Sequence, residues 1–348
     1  MATRTAPELP PFTLECPPIW CPVPARTHPQ ADGIDDHLLD WVKRTDLIRS
    51  RAAAERFHAA GFGEFAARVY PRATRLHLVA EWQAFNWIVD DRLDEGYLEG
   101  TYQEREDVVR DLVAQLPLDL RAPRASGPLT AALSDLWQRT ASQHSWAWRE
   151  RFATHYVDFL AFTLLPHSDP EKSQESPSDV TAFVRRRRLN SGCEMSFDLI
   201  ETANAREVPA SVARSDAYRA VRLAANDVIS WTNDMFSIRK ENARGDQDHL
   251  AAVLRNDTGG TWEEALTHAS DLVEALTRDF LEAAADLRAV RGVYGLDEDA
   301  WTLVDESLTD LGEWIAGSLS WHRWSPRYRD VETTEAGAVP TYIERHLV

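Results

Sequence analysis

The stretch Trp231–Glu241, WTNDMFSIRKE, carries the most chemical information in the chain. Its residues Asn233, Ser237 and Glu241 recur at every fourth position, so on a helix of 3.6 residues per turn their side chains lie along one face. An amide oxygen, a hydroxyl and a carboxylate form an all-oxygen ligand set, which suits a hard divalent cation such as Mg²⁺. The stretch therefore predicts a helix that carries one half of a magnesium site.

Composition and charge exclude several classes of protein. The formal net charge of −18 argues against a nucleic-acid partner, because phosphate binding of that kind needs a basic face. No run approaches the ~18 apolar residues of a membrane span, and the N-terminal MATRTAPELPPF lacks the features of a signal peptide. Cys16, Cys21 and Cys193 have no metal-site or disulfide-framework spacing. We therefore expect a cytoplasmic protein.

Helical periodicity dominates the chain after a proline-rich start. We expect residues 1–33 to form an irregular N-terminal arm, residues 34–330 a single all-α domain of about ten helices, and residues 331–348 a C-terminal tail. No segment alternates with a period of two for long enough to suggest a sheet. Beyond the first short helices, the pattern predicts helices at 77–94, 102–115, 128–145, 146–165, 178–203, 211–243, 262–289 and 298–322.

A second acidic motif, DDRLDE at 90–95, ends the predicted helix 77–94. Asp90 and Asp94 share one helix face, whereas Asp91 points about a quarter turn away. Like charges at this spacing, at a helix C-terminus, destabilise a bare helix, and a bound metal would remove that penalty. A solvated acidic helix end is the alternative. The aromatic residues Trp82 and Trp87 before the motif favour acids at the mouth of an apolar pocket.

Cationic residues that could bind phosphate occur in three places. Arg185–Arg188 is a run of four arginines, in which Arg188 lies one helical turn before Gly192. Arginine grips phosphate oxygens in a bidentate manner, and glycine permits a close backbone approach. A basic surface patch or a nuclear-localisation signal is the alternative for this run. The other two places are Lys240 and the pair Arg327–Tyr328, which alone would be an ordinary surface pair.

Taken together, these motifs resemble a bacterial class I terpene synthase, or terpene cyclase. The resemblance rests on DDRLDE at 90–95, NDMFSIRKE at 233–241, Arg188 at 45 residues before Asn233, and Arg327–Tyr328. The stretch PPIWCPVPARTHPQADGIDDHLLDWV is also similar to the start of that family, so the resemblance spans about residues 12–330. It implies a single α-helical bundle around a deep apolar active-site cavity.

The resemblance also implies a role for each motif residue. Asp90 would bridge two Mg²⁺ ions, with Asp94 a further ligand or a salt-bridge partner, and Asn233, Ser237 and Glu241 would hold a third ion. Mn²⁺ would be an acceptable substitute. Arg188 would sense the diphosphate, with Ser191 as linker and Gly192 as the effector whose carbonyl helps trigger ionisation. Lys240, Arg327 and Tyr328 would complete the diphosphate site, and a homodimer is common in the family.

The implied reaction is the ionisation and cyclisation of an isoprenyl diphosphate, which we expect to be farnesyl diphosphate giving a sesquiterpene. Geranyl or geranylgeranyl diphosphate as substrate, a prenyl chain-elongating synthase and a non-catalytic helical lipid-binding protein are the alternatives. Trp87, Phe197, Trp314 and Trp321 are candidate cavity walls, or alternatively plain core residues. Asn86 stands four residues before Asp90, where relatives commonly have an aromatic residue, and suggests a bound water that yields an alcohol or ether product.

Overall fold

The computed structural model describes residues 15–94, 102–164, 180–243, 249–329 and 341–347. In these ranges the α-helices, in chain order, are α1 Ile34–Arg44, α2 Arg51–Ala60, α3 Phe62–Val69, α4 Leu76–Asp94, α5 Tyr102–Val113, α6 Pro128–Ala141, α7 Trp146–Phe162, α8 Val180–Asn190, α9 Cys193–Ala203, α10 Ala210–Ala213, α11 Asp216–Ala243, α12 Leu250–Thr258, α13 Trp262–Ala289, α14 Glu298–Trp324 and α15 Pro326–Arg329. No strand occurs in the described ranges, so the expected all-α class is confirmed.

Several helices begin where a side chain can bind the free N–H groups of the first turn. Ser50, Ser145 and Asp297 accept a hydrogen bond from the third residue of α2, α7 and α14 respectively. At the start of α13, Thr261 and Glu264 form a reciprocal capping box. These caps explain why the predicted starts at 146, 262 and 298 agree with the structure.

The prediction of one helix over residues 178–203 is wrong. The chain forms α8 and α9, which are separated by a turn at Ser191 and Gly192. Gly192 has a φ of 67°, a left-handed conformation that glycine adopts without a steric penalty. The break was concealed because apolar residues occur on both sides of the turn: α8 buries Phe183, and α9 is buried along almost its whole length. The predicted helix 211–243 likewise divides into the short α10 and the long α11.

The long helices α11 and α13 pack side by side, and α14 packs against the short α3. The approach of α14 to α3 depends on Gly317, since a Cβ atom there would lie 2.1 Å from the backbone oxygen of Arg68. This contact places the C-terminal end of α14, and α15 after it, next to α3 and α2. None of the helices in the described ranges is long and apolar enough to cross a membrane.

We expect Gly317→Ala to lower the free energy of unfolding by about 3 kcal/mol, because backbone atoms cannot yield to the added methyl group as a flexible side chain would. Gly292→Ala is the matched control, since a Cβ atom at Gly292 meets nothing within 4 Å, and we expect a change of less than about 1 kcal/mol there. Urea-induced unfolding measures both variants. Equal stabilities of the two variants would contradict the close helix contact.

Helix α12 was not predicted from the sequence, and its first turn is capped by a buried histidine. Nδ1 of His249 accepts the N–H of Ala252 at 3.3 Å, and Nε2 has no hydrogen-bond partner in the described part of the chain. Burial lowers the pKa of His249 to about 4. The cap therefore requires the neutral ring, with the proton on Nε2.

This histidine makes stability depend on pH in a defined direction. Below the unfolded-state pKa of about 6.5 the unfolded chain takes up a proton that folded His249 takes up only near pH 4, so stability falls over that interval. The wild-type protein should lose unfolding free energy between pH 7 and pH 5. We expect this loss to be about 2 kcal/mol smaller in His249→Asn, which keeps a capping oxygen. Urea unfolding at each pH measures it. Parallel pH profiles for wild type and variant would contradict this role.

Candidate active site

The acidic motif occupies the last turns of α4. Asp90 is half-buried, whereas Asp91 is buried and forms an ion pair with Arg327 of α15 at 2.7 Å. The quarter turn expected between these neighbours therefore directs Asp91 to a partner within the protein. The side chain of Asp94 lies outside the described residues. Asp90, the predicted metal ligand of this motif, lies on the described part of α4.

Asn233 and Ser237 lie on one face of the continuous helix α11, as predicted. Ser237 is buried, and Nδ2 of Asn233 donates to Oη of Tyr328 and to Nε2 of His322, each at 3.0 Å. His322 can accept because its Nδ1 lies 2.8 Å from the carbonyl oxygen of Ser318 and so carries the proton. Burial lowers the pKa of His322 to about 4, which keeps the ring neutral. The side chains of Lys240 and Glu241 lie outside the described residues, although α11 continues through both.

The arginine run contributes Arg187, rather than Arg188, to Asn233. The Arg187 guanidinium donates to Oδ1 of Asn233 at 3.0 Å and to Oδ1 of Asp234 at 2.8 Å. Arg188 instead forms a bidentate ion pair with Asp227 at 2.7 and 2.5 Å, a hydrogen-bonded contact that raises the pKa of Arg188. Consecutive helix residues project about 100° apart, so the two arginines bind different residues of α11. In the described conformation the Arg188 guanidinium is therefore directed to Asp227, and Arg187 binds Asn233.

Ser191 and Gly192 form the turn between α8 and α9. The Ser191 hydroxyl donates to the carbonyl oxygen of Arg188 at 3.3 Å and accepts the N–H of Cys193 at 3.1 Å, so it stabilises the turn. The carbonyl oxygen of Gly192 accepts from Oγ of Ser196 at 2.8 Å. These contacts hold the turn in one conformation, and they give Ser191 and Gly192 a structural role in the described conformation.

Arg327 is a largely buried cation that binds the acidic motif of α4. Its guanidinium bonds both oxygens of Asp91, at 2.7 and 3.0 Å, and lies 4.9 Å from the centre of the Trp87 ring. Burial alone would lower the pKa of Arg327, but the Asp91 carboxylate opposite raises it well above its usual value. Nε of Arg327 is a buried donor with no hydrogen-bond partner in the described ranges. An additional acceptor, such as an anion, would satisfy it.

The four predicted cavity aromatics belong to one connected cluster with Phe65 at its centre. Phe65 contacts three of them, with ring centroids at 6.0 Å for Trp87, 5.5 Å for Trp314 and 4.8 Å for Trp321. Phe197 joins through Trp314 at 5.8 Å. The cluster adjoins the ion pair, since Trp87 stacks with Phe62, and Arg327 also lies 5.8 Å from the Phe62 ring.

Asn86 is a buried polar residue that contacts the side chain of Tyr156. Its Oδ1 accepts from Oη of Tyr156 at 3.2 Å, and its Nδ2 has no hydrogen-bond partner among the described residues. Asn86 lies one helical turn before Asp90, on the same face of α4. A buried N–H without a partner is costly, so this amide is suited to bind a water molecule or an oxygen of a ligand.

The donor atoms fit a hard divalent cation. Asp90, Asn233 and Ser237 offer only oxygen ligands, of the kind that Mg²⁺ prefers, and no thiolate or imidazole is in the set. Consecutive residues connect the two helices that carry the candidate ligands, because Arg327 binds Asp91 of α4 and Tyr328 binds Asn233 of α11. The described residues contain no group of three His, Cys, Asp or Glu side chains that could bind a metal. The predicted set combines carboxylates with an amide and a hydroxyl.

Three contacts of the site were not predicted from the sequence: those made by Arg187, His322 and Tyr342. The Tyr342 hydroxyl donates a hydrogen bond to Oδ2 of Asp91, a residue 251 positions away in the chain. Neither Tyr342 nor His322 lies in a motif, so local spacing carried no signal for them. Arg187 was contained in the arginine run, but four identical residues do not reveal which of them contacts Asn233.

The comparison with known families decides the identity. Residues 81–279 match the model of a family described as terpene synthase family 2, C-terminal metal binding. The chain belongs to the terpene synthase family. The matched region includes Asp90, Arg187 and Asn233. The family description supports the use of a metal by this terpene synthase, an enzyme of the class that acts on isoprenyl diphosphates.

Named relatives agree with this assignment along almost the whole chain. Pentalenene synthase of Streptomyces exfoliatus is 31% identical over 331 residues, which cover 93% of this chain and 95% of that protein. Pristinol synthase of Streptomyces pristinaespiralis is 31% identical over 317 residues, which cover 89% of this chain and 84% of that protein. Among solved structures, linalool/nerolidol synthase from Streptomyces clavuligerus in complex with 2-fluorogeranyl diphosphate has a TM-score of 0.77 and 26% identity, and the match covers 88% of this chain and 99% of that one.

Proposed function

We propose that this terpene synthase ionises and cyclises farnesyl diphosphate in the presence of Mg²⁺ and releases a sesquiterpene and diphosphate. The observation that supports the proposal is the set of contacts made by α15. Consecutive residues Arg327 and Tyr328 connect the acidic motif on α4 with Asn233 on α11, and Arg187 contacts Asn233 from α8. These contacts support a site in which oxygen ligands and guanidinium groups from several helices come together, next to the aromatic cluster.

The oxygen ligands divide between the two motif helices. Asp90, with Asp94 as a further ligand, would hold metal from α4, and Asn233, Ser237 and Glu241 would hold it from α11. We propose three Mg²⁺ ions for the complete site. When bound, the metal supplies charge neutralisation for the departing diphosphate. In the described conformation Oδ1 of Asn233 accepts from Arg187. This oxygen has a second lone pair for a metal, and Arg187 would have the diphosphate as a further acceptor.

Cationic and hydroxyl groups around these ligands would bind the diphosphate. Arg187, Arg327 and Tyr328 have the donors, and Lys240 is a further candidate. Guanidinium groups bind phosphate oxygens in a bidentate manner, and such donors are most effective where water is excluded. The unpartnered Nε of Arg327 adds one donor to this set. Arg188, held by Asp227, would instead fix the end of α8 next to the Ser191–Gly192 turn.

The aromatic cluster would surround the hydrocarbon part of the substrate. Trp87, Trp314, Trp321 and Phe197 exclude water from the reacting carbons, because water would quench a carbocation. Aromatic faces also attract a positive charge, by about 0.5–2 kcal/mol or more each when desolvated. The residues that would promote ionisation and the aromatic residues that would shape the product are thus neighbouring parts of one proposed site.

The test is an incubation of the purified protein with geranyl, farnesyl and geranylgeranyl diphosphate, each with Mg²⁺ and with EDTA. We expect Mg²⁺-dependent diphosphate release and a fifteen-carbon volatile from farnesyl diphosphate, as identified by gas chromatography–mass spectrometry. Geranyl diphosphate is the second candidate substrate, because the linalool/nerolidol synthase relative binds 2-fluorogeranyl diphosphate. No release from any of the three substrates would overturn the proposal and would favour a non-catalytic lipid-binding protein.

The same incubation in ¹⁸O-labelled water tests the chemistry at Asn86. The unpartnered Nδ2 of this residue supports a bound water next to the reacting carbons, which would be incorporated as an alcohol or ether oxygen. A product that contains no labelled oxygen would remove this part of the proposal and leave the rest of it intact.

A further inference from the structure

The segment 341–347 follows the helical domain in sequence but is anchored in its core. Tyr342, Ile343 and Leu347 are buried. The Glu344 carboxylate accepts the backbone N–H groups of Arg49 and Ser50, immediately before α2, at 2.5 and 3.1 Å. His346 contacts the carbonyl oxygen of Asp46 at 2.8 Å. The segment is therefore fastened to the loop between α1 and α2, on contacts that are independent of the candidate metal ligands.

From this anchor, Tyr342 reaches the acidic motif. Its ring packs edge-on against Phe57 and Phe62, with centroids at 5.7 and 5.6 Å. Its hydroxyl donates to Oδ2 of Asp91 and lies 3.4 Å from the carbonyl oxygen of Trp87. Phe62 stacks with Trp87, so the tyrosine completes the apolar and polar surroundings of the last turns of α4.

Asp91 connects Tyr342 to Arg327, a residue that the proposed function assigns to diphosphate binding. The same carboxylate accepts both bonds from the Arg327 guanidinium, which lies over the Trp87 and Phe62 rings. The next residue, Tyr328, accepts a hydrogen bond from the Asn233 amide through its hydroxyl oxygen. The position of Asp91 therefore sets the position of Arg327, and the short helix α15 couples Arg327 to Asn233.

We propose that Tyr342 is a positioning residue for diphosphate binding, and that the segment 341–347 is the element that holds it in place. This inference rests on the proposed function, since it assigns Tyr342 to the diphosphate site. The hydroxyl orients Asp91, and Asp91 holds Arg327 with its unpartnered Nε available to an anion. Tyr342 bonds directly to Asp91, so its effect on the diphosphate site is exerted through Asp91.

The test compares Tyr342→Phe with Tyr218→Phe in the full-length protein. Tyr218 is also buried, and its hydroxyl also makes one short hydrogen bond, to Oγ of Ser307 at 2.7 Å, between α11 and α14. Isothermal titration with inorganic diphosphate and Mg²⁺ measures binding, and steady-state kinetics with farnesyl diphosphate separates KM from kcat. A hydrogen bond to a charged group is strong, so we expect Tyr342→Phe to weaken diphosphate binding and lower kcat/KM about tenfold.

The control variant separates positioning from stability. Both variants lose a buried hydrogen bond and should unfold at similarly lowered urea concentrations, but Tyr218→Phe should retain wild-type affinity for diphosphate. Glu344→Gln, which weakens the anchor of the segment, should shift diphosphate affinity in the same direction as Tyr342→Phe by a smaller factor. Wild-type diphosphate affinity in Tyr342→Phe, or an equal loss in Tyr218→Phe, would overturn the inference. A wild-type protein that does not release diphosphate would instead overturn the proposed function, and this inference with it.

Discussion

Replacement of Asn233 by alanine lowers the Mg²⁺-dependent kcat/KM by about 10²–10³-fold, and Asp90→Asn has an effect of the same order. Each variant removes one oxygen ligand from an opposite arm of the proposed metal site. The loss of a ligand weakens metal binding before it alters any later step. We therefore also expect the Mg²⁺ concentration for half-maximal diphosphate release to rise in both variants. Kinetics at a series of Mg²⁺ concentrations measures both effects.

Asn204→Ala is the matched control for this pair of variants. The Asn204 amide also makes a side-chain hydrogen bond, to Asp310 at 3.0 Å, but it lies at the C-terminal end of α9. We expect unchanged Mg²⁺ dependence there. If Asp90→Asn and Asn233→Ala both turned over with wild-type Mg²⁺ dependence, the metal site proposed on α4 and α11 would be wrong.

The second large effect distinguishes two neighbouring arginines. We expect Arg187→Gln to lower kcat/KM about 100-fold, because it removes the guanidinium that contacts Asn233. Arg188→Gln should lower kcat/KM less than tenfold, since Arg188 is paired with Asp227. Its main effect should be a lower unfolding free energy, because Asp227 is buried and would lose its partner.

Steady-state kinetics and melting temperatures should be measured for both variants. The melting temperature separates a loss of stability from a loss of activity, since Arg187→Gln also leaves the buried Asp234 without one of its donors. Arg187→Lys keeps the positive charge and loses the bidentate fork, so an intermediate kcat/KM is expected. A 100-fold loss in Arg188→Gln, with wild-type activity in Arg187→Gln, would return the diphosphate-sensing role to Arg188.

Much of the fold could be predicted because helices are local structures. Hydrophobic periodicity indicated the long helices α4, α11, α13 and α14 within a few residues of their observed ends. It failed where local conformation overrides the pattern. Gly192, with its φ of 67°, breaks an otherwise continuous pattern, and the short α12 depends on a buried histidine cap that is not among the common N-cap residues.

By itself the sequence determined that Asn233, Ser237 and Glu241 share one face of a helix, because the period of 3.6 residues depends on nothing beyond that helix. It also determined that Asp90 and Asp91 point in different directions. Only the tertiary structure decided which of them pairs with Arg327, and that Arg187 rather than Arg188 faces Asn233. The rotation of a helix about its axis is set by the neighbours it packs against. The hydrogen bond from Tyr342 to Asp91 depends on packing between segments that are distant in sequence, which no local pattern records.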